Sequence, residues 1–289
     1  VAALMAFRDE DLGLRYGVTA LCLLIFIVLA ATSWTPLPGY NLPDDVRESG
    51  TWVQTCAAML MLFALLHVLQ SDAAERSELE SELQKALAYD QFELYYQPQV
   101  DSSGTVIGAE ALLRWQHPRR GLVPPDDFIP VLEELGLVVQ VGDWVLAEAC
   151  RQFMAWQRAE VRLPKISINL SARQFVDGQL EQRVAETLRS SGIAAGSLEL
   201  EMTESMLMQD VDQALSTLVR LKQLGVGIAI DDFGTGYSSL NYLKQFPIDV
   251  LKIDRSFVDG LPDGEQDAQI ARAIIAMAHS LNLAVIAEG

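Results

Sequence analysis

From residue 91 onward, apolar and polar positions follow two periods in alternation. Short runs rich in β-branched and aromatic residues are separated by longer stretches with apolar residues three and four apart. The short runs predict seven strands, at 92–100, 106–115, 166–170, 198–202, 227–230, 250–253 and 284–287. The longer stretches predict helices at 125–135, 143–158, 180–190, 211–224, 239–245 and 267–281. Asp101-Ser102-Ser103-Gly104 reads as a hairpin turn between the first two strands. The run Gly227-Ile228-Ala229-Ile230 is apolar on both faces, as in a strand buried on both sides. Repeated β–α units at this spacing predict a parallel sheet of an α/β barrel, which an eighth strand would close. The chain starts at Val1 rather than Met and stops at Gly289 within strand-like residues. It is read as a fragment with the last strand missing. An open sheet leaves two unpaired edges, so a form extended by one strand and one helix is expected to be more stable and more active.

The N-terminal pattern is different. No charged residue lies between Arg15 and Asp44, and a second uncharged stretch covers 49–71. Each approaches the roughly 20 apolar residues that a membrane-spanning helix needs. Trp34 and Trp52 stand at the facing ends, as interfacial aromatics do. The segment 35–50 holds three prolines and two glycines and suits a short loop. The prediction is two transmembrane helices, at about 18–34 and 51–70. A signal peptide followed by a buried helix is the other reading, and it leaves the second stretch unexplained. Residues 72–90 change to an amphipathic pattern, with Leu79, Leu83 and Leu87 four apart among charges. This helical linker suits either a dimerising coiled coil or a helix packed on the domain at 91–289. A homodimer anchored in the inner membrane, with that domain in the cytosol, is the expected arrangement.

Charge narrows the partners. The formal net charge is −18, which argues against a nucleic acid polymer bound through a general basic surface. It leaves room for a small nucleotide held through metal ions. The cysteines are Cys22, Cys56 and Cys150, with no Cys-x-x-Cys pair, so reduced structural thiols are expected. His117 and His279 have no partner at metal-ligand spacing.

The candidate chemistry sits at the strand ends. Asp231 and Asp232 end the 227–230 run and are followed by Gly234 and Gly236. Like charges side by side repel, and a divalent cation is the natural compensation. Glu110, Asn169, Glu201, Glu204, Lys252, Asp254 and Glu288 fall at or just past the other strand ends. In an α/β barrel these ends converge on one rim. Oxygen ligands in that number suit Mg²⁺ or Mn²⁺ better than zinc. Two such ions activate water and stabilise the leaving oxygen of a phosphodiester. Taken singly, each acid could be a solvated or salt-bridged loop residue. That reading is kept for Glu199, Glu133 and Glu134, which are expected on other faces or on helices.

An ordered set of motifs runs through 91–289: Tyr96-Gln97-Pro98, Glu110-Ala111-Leu112, Asn169-Leu170-Ser171, Glu201-Met202-Thr203-Glu204, Asp231-Asp232-Phe233-Gly234-Thr235-Gly236, Lys252-Ile253-Asp254 and Glu288-Gly289. In this set the chain resembles the EAL domain family, which hydrolyses cyclic di-GMP. The resemblance implies a TIM-like (β/α)8 barrel whose first strand is antiparallel. It implies that Glu110, Asn169, Glu201, Asp231 and Asp232 hold two metal ions, and that Lys252 and Glu288 assist the attacking water. Glu204 would brace the loop 232–239. Gln97, Leu112, Arg114 and Asp254 would contact the dinucleotide. The implied activity is hydrolysis of cyclic di-GMP to linear pGpG. A catalytically silent receptor of the same dinucleotide is the alternative within the family.

Overall fold

The computed structural model describes residues 79–234, 240–259 and 265–288, together with residues 52, 59 and 60. The chain divides into units 1–79 and 80–289, and the fold below is that of the second unit. Among the described residues, no helix is long and apolar enough to cross a membrane. The expected spans at 18–34 and 51–70 lie, but for residues 52, 59 and 60, outside the described residues.

The sheet contains β1 (Phe92–Val100), β2 (Val106–His117), β3 (Gly121–Val123), β4 (Ile166–Asn169), β5 (Leu198–Thr203), β6 (Gly227–Phe233), β7 (Val250–Ile253) and β8 (Ala284–Ala287). The principal helices are α1 (Pro125–Leu135), α2 (Val138–Arg158), α3 (Ala172–Val176), α4 (Leu180–Ser191), α5 (Glu204–Gln209), α6 (Val211–Gln223), α7 (Leu240–Leu243) and α8 (Glu265–Ser280). The strand order is β1-β2-β4-β5-β6-β7-β8, with β3 paired to β2 off this path. β1 and β2 are antiparallel through the turn at Asp101, and every step from β2 to β8 along the path is parallel. The antiparallel first strand is therefore as expected. Among the described residues β1 and β8 are the two ends of the path and do not pair with each other. This is the curved sheet of a TIM-like barrel, and the closing strand expected past Gly289 lies outside the described residues.

The core follows from periodicity. On β5, Leu198, Leu200 and Met202 are buried on one face, while Glu199 and Glu201 are buried on the other. α6 buries Ala214, Thr217, Leu218 and Leu221, a stripe at helical spacing. Asp210 caps it by accepting a hydrogen bond from the Gln213 backbone N–H at 3.0 Å. Replacing fully buried Leu218 with alanine would cost about 2–5 kcal/mol. α2 begins at Val138, five residues before the sequence pattern suggests, because Gly142 is inside the helix rather than before it. A Cβ at Gly142 would lie 2.0 Å from the Gln174 side-chain nitrogen, so the glycine admits a close contact with α3. α3, α5 and β3 are too short to leave a periodic signal. Cys150 is free and buried, and burial pushes its thiol up to about 12.

Of the linker expected at 72–90, residues 79–86 are helical and 87–90 form a turn. Leu83 and Ala86 are buried, so this helix packs on the domain. Glu82 Oε2 lies 3.0 Å from His117 Nε2 at the end of β2, and Glu82 also pairs with Arg119. His117 Nδ1 accepts from the backbone N–H groups of Arg119 and Arg120 at 3.2 and 3.0 Å. His117 is thus a buried packing histidine.

Candidate active site

The parallel strands carry their C-terminal residues to one rim. Register sets the neighbours: Glu110 is opposite Ser167, Asn169 opposite Glu201, and Thr203 opposite Asp231. Lys252 on β7 is in the middle, 1% exposed. Its Nζ is 2.6 Å from Glu201 Oε2, 2.6 Å from Glu288 Oε1, and 3.1 Å from both Glu110 Oε2 and Asp231 Oδ2. Asn169 Nδ2 donates to Glu110 Oε1 at 2.7 Å. Of the strand ends expected to converge, Glu110, Asn169, Glu201, Asp231, Lys252 and Glu288 come together here.

Adjacent Asp231 and Asp232 would point to opposite faces of a regular strand. The ladder between β6 and β7 shifts register between Ile230 and Phe233, and Asp232 adopts φ +54°. Aspartate tolerates this left-handed conformation better than most residues. The irregularity re-aims Asp232, so that carboxylate oxygens of Asp231, Asp232 and Glu288 gather within 4.8 Å of one another. Asp231 Oδ1 accepts from the Asp232 backbone N–H at 2.9 Å.

The electrostatics are unbalanced, with four carboxylates facing one ammonium. Burial pushes Glu201 up to about 8; Lys252 pulls it down, and Glu110 and Asp231 add to the rise. Burial alone would lower the Lys252 ammonium, but Glu201, Asp231 and Glu110 more than reverse this and hold it above its ordinary value. Burial, followed by the charges of Asp231 and Asp254, also raises Asp232. Glu288 is raised by burial, against its hydrogen bond to Lys252.

A divalent cation fits this donor set. Glu110, Glu201 and Asp231 form one acidic group with ligand atoms within 4.8 Å, and Asp231, Asp232 and Glu288 form another. Asp231 belongs to both. Glu201 Oε1 is buried and has no hydrogen-bond partner, as suits an oxygen reserved for an ion. All-oxygen donors select hard cations of the Mg²⁺ or Mn²⁺ type.

The remaining sequence candidates are more dispersed. Gln97 on β1 is directly across from Glu110, and Leu112 and Arg114 continue up the same face of β2. Asp254 follows β7, accepts from the Ser256 backbone N–H at 2.9 Å, and is held below the usual carboxylate range first by the Ser256 hydroxyl. Glu204 opens α5 and is buried, with both carboxylate oxygens lacking a hydrogen-bond partner. Residues 235–239 of the loop it is expected to brace lie outside the described residues.

Glu199 is salt-bridged, one of the two readings kept for it, but its expected placement needs correction. It is not solvated, nor on another face from the site. It is 4% exposed, two residues before Glu201 on the same side of β5. Lys165 Nζ reaches its two oxygens at 2.8 and 2.9 Å, and the Ser167 hydroxyl donates to it at 2.9 Å. This polar layer lies one step beneath the acidic rim. Its signal was available in the i, i+2 spacing of Glu199 and Glu201.

An α/β barrel-type sheet with an acidic, cation-compatible rim at its strand ends defines the class. Residues 80–289 match the family model of the EAL domain. Over 222 residues the chain is 46% identical to the bifunctional diguanylate cyclase/cyclic di-GMP phosphodiesterase MucR of Pseudomonas aeruginosa, covering 76% of this chain and 32% of that protein. Over 218 residues it is 46% identical to the cyclic di-GMP phosphodiesterase NbdA of the same organism, covering 75% of this chain and 28% of NbdA. The chain therefore spans about a third of the length of these relatives. A solved structure of the P. aeruginosa MucR phosphodiesterase in complex with c-di-GMP superposes with a TM-score of 0.71 at 47% identity, covering 73% of this chain and 86% of that one. The chain belongs to the EAL domain family.

Proposed function

We propose that this chain is a phosphodiesterase that hydrolyses cyclic di-GMP to linear pGpG with two Mg²⁺ or Mn²⁺ ions. The observation that carries the reading is Asp231, whose carboxylate is common to two acidic groups around buried Lys252. Its relatives MucR and NbdA, named as cyclic di-GMP phosphodiesterases, support the substrate. Glu110, Asn169, Glu201, Asp231 and Asp232 would hold the ions. Bound, these ions would supply Lewis acidity for the attacking water and neutralise charge on the leaving oxygen.

The chain's own groups do the rest. Lys252 Nζ, fixed by four carboxylates, donates toward the phosphodiester and the attacking water. Glu288 Oε1, close to that ammonium, accepts a proton from the water. The water oxygen bonds to phosphorus, the bond from phosphorus to the 3′ sugar oxygen breaks, and the departing oxygen takes up the proton that Glu288 removed from the water, leaving a 5′-phosphate and a 3′-hydroxyl. Gln97, Leu112, Arg114 and Asp254 would hold the dinucleotide. Glu204, with two unpartnered buried oxygens, would brace the loop after Asp232. The same reading includes two N-terminal transmembrane helices, a homodimer, and an EAL domain facing the cytosol at the inner membrane.

Incubating the protein with cyclic di-GMP and Mg²⁺ tests the reaction. Linear pGpG is expected, and EDTA is expected to stop its formation. Tight binding without product would favour the receptor alternative instead.

A further inference from the structure

β1 and β2 continue past the rim as a two-stranded ribbon. β4 pairs with β2 only from Ala109 to Ala111, whereas β1 follows β2 as far as Trp115. One face of this ribbon continues the interior face of the sheet. Its rungs, from below upward, are Gln99 with Gly108, Gln97 with Glu110, Tyr95 with Leu112, and Glu93 with Arg114. Same-face rungs are about 7 Å apart. Tyr95 and Leu112 therefore stand one rung above Glu110, which is a member of the acidic group.

Tyr95 differs from the other aromatics of the hairpin. Phe92 and Trp115 are buried, and Tyr96 on the opposite face packs edge-on against Trp156 at 4.6 Å between centroids. The Tyr95 side chain is on the site face and the residue is 45% exposed. The Arg114 guanidinium carbon is 5.5 Å from its ring centroid, a cation–π contact that fixes the ring. A half-exposed ring held in place on a ligand-facing surface is a stacking platform, because every nucleobase has a π-face.

We propose that Tyr95 stacks on a purine base of the dinucleotide, with Leu112 beside it, while the phosphodiester lies one rung lower at Glu110. The base is one sugar removed from that phosphodiester, which matches a single rung of the ribbon. The inference rests on the cyclic di-GMP reading above and extends it to a base-recognition residue outside the acidic rim. Tyr95 acts on affinity alone, since no part of it belongs to the cation-binding groups.

Cyclic di-GMP affinity, measured by calorimetry in EDTA so that no turnover intervenes, tests this with Tyr95→Phe and Tyr95→Leu. Tyr95→Phe keeps the ring and should bind within about two-fold of wild type. Tyr95→Leu should weaken binding roughly 5- to 150-fold, the range expected for one base–aromatic stack. Mn²⁺ affinity should be unchanged in both variants. Wild-type affinity in Tyr95→Leu would overturn the proposal, and so would a Tyr95→Phe as weak as Tyr95→Leu. If wild type itself does not bind cyclic di-GMP, the underlying functional reading falls, an outcome distinct from the failure of Tyr95 alone.

Discussion

The Lys252 ammonium nitrogen lies 2.6 Å from Glu201 Oε2, and both side chains are almost fully buried. A buried ion pair of this kind persists only when every charge near it is compensated. Here Glu110, Asp231 and Glu288 crowd the same ammonium. The excess negative charge is what draws either protons or divalent cations into the rim.

That competition gives a pH signature. Glu201 is raised from 4.5 to about 8, so the folded protein binds this proton more tightly than the unfolded chain does. Stability in EDTA should therefore be greatest at low pH within this window, and should fall as pH rises from about 4.5 to about 8. Saturating Mg²⁺ takes the proton's place and should flatten the fall. Thermal unfolding across this window, with EDTA and with Mg²⁺, checks it; a flat profile in EDTA would count against a protonated Glu201.

Removing the ammonium should expose the same imbalance. Lys252→Met leaves four carboxylates without their cation, and should cost about 3–5 kcal/mol of stability in EDTA. Mg²⁺ should restore much of that loss. Turnover should stay roughly 10²- to 10³-fold below wild type, because a preorganised donor is gone. Denaturant titration and a hydrolysis assay on the same preparation separate the two effects.

The layer beneath the rim makes a separate prediction. Lys165→Met should destabilise by about 3 kcal/mol, since Glu199 is then buried unpaired. Combining it with Glu199→Leu should recover most of that loss, giving a coupling energy well above zero in a double-mutant cycle. A double variant whose loss equals the sum of the two single losses would show that the pair is not coupled.

The membrane proposal is independent of the site. If 18–34 and 51–70 span the bilayer, carbonate washing should leave the protein in the membrane pellet. Its release into the supernatant would remove the anchor from the account.

How much of this was legible depends on what leaves a periodic trace. The seven strands on the sheet path were readable because each is a short apolar run between turn residues. Their acidic ends were readable because parallel strands share one rim. The turn at Asp232 was not, because a register shift with positive φ depends on neighbours across β7 rather than on local pattern. Glu199 was misplaced because its charge was weighed alone, without its same-face partner Glu201. The helix expected at 143–158 starts five residues earlier, and Gly142 within it packs closely on Gln174, a contact between helices that local pattern does not carry. Tyr95 carries no motif, and its exposure and its Arg114 contact exist only in three dimensions.

The role of Asp231 is the most direct test of the whole account. Cyclic di-GMP hydrolysis should be compared between wild type and Asp231→Asn in Mg²⁺ and in Mn²⁺, with dinucleotide binding measured alongside. The variant keeps the side-chain shape but loses the charge shared by both acidic groups. Wild type should release linear pGpG, and Asp231→Asn should be at least about 10²-fold slower while remaining folded. Metal-dependent hydrolysis undiminished in Asp231→Asn would contradict a two-cation site built around this carboxylate.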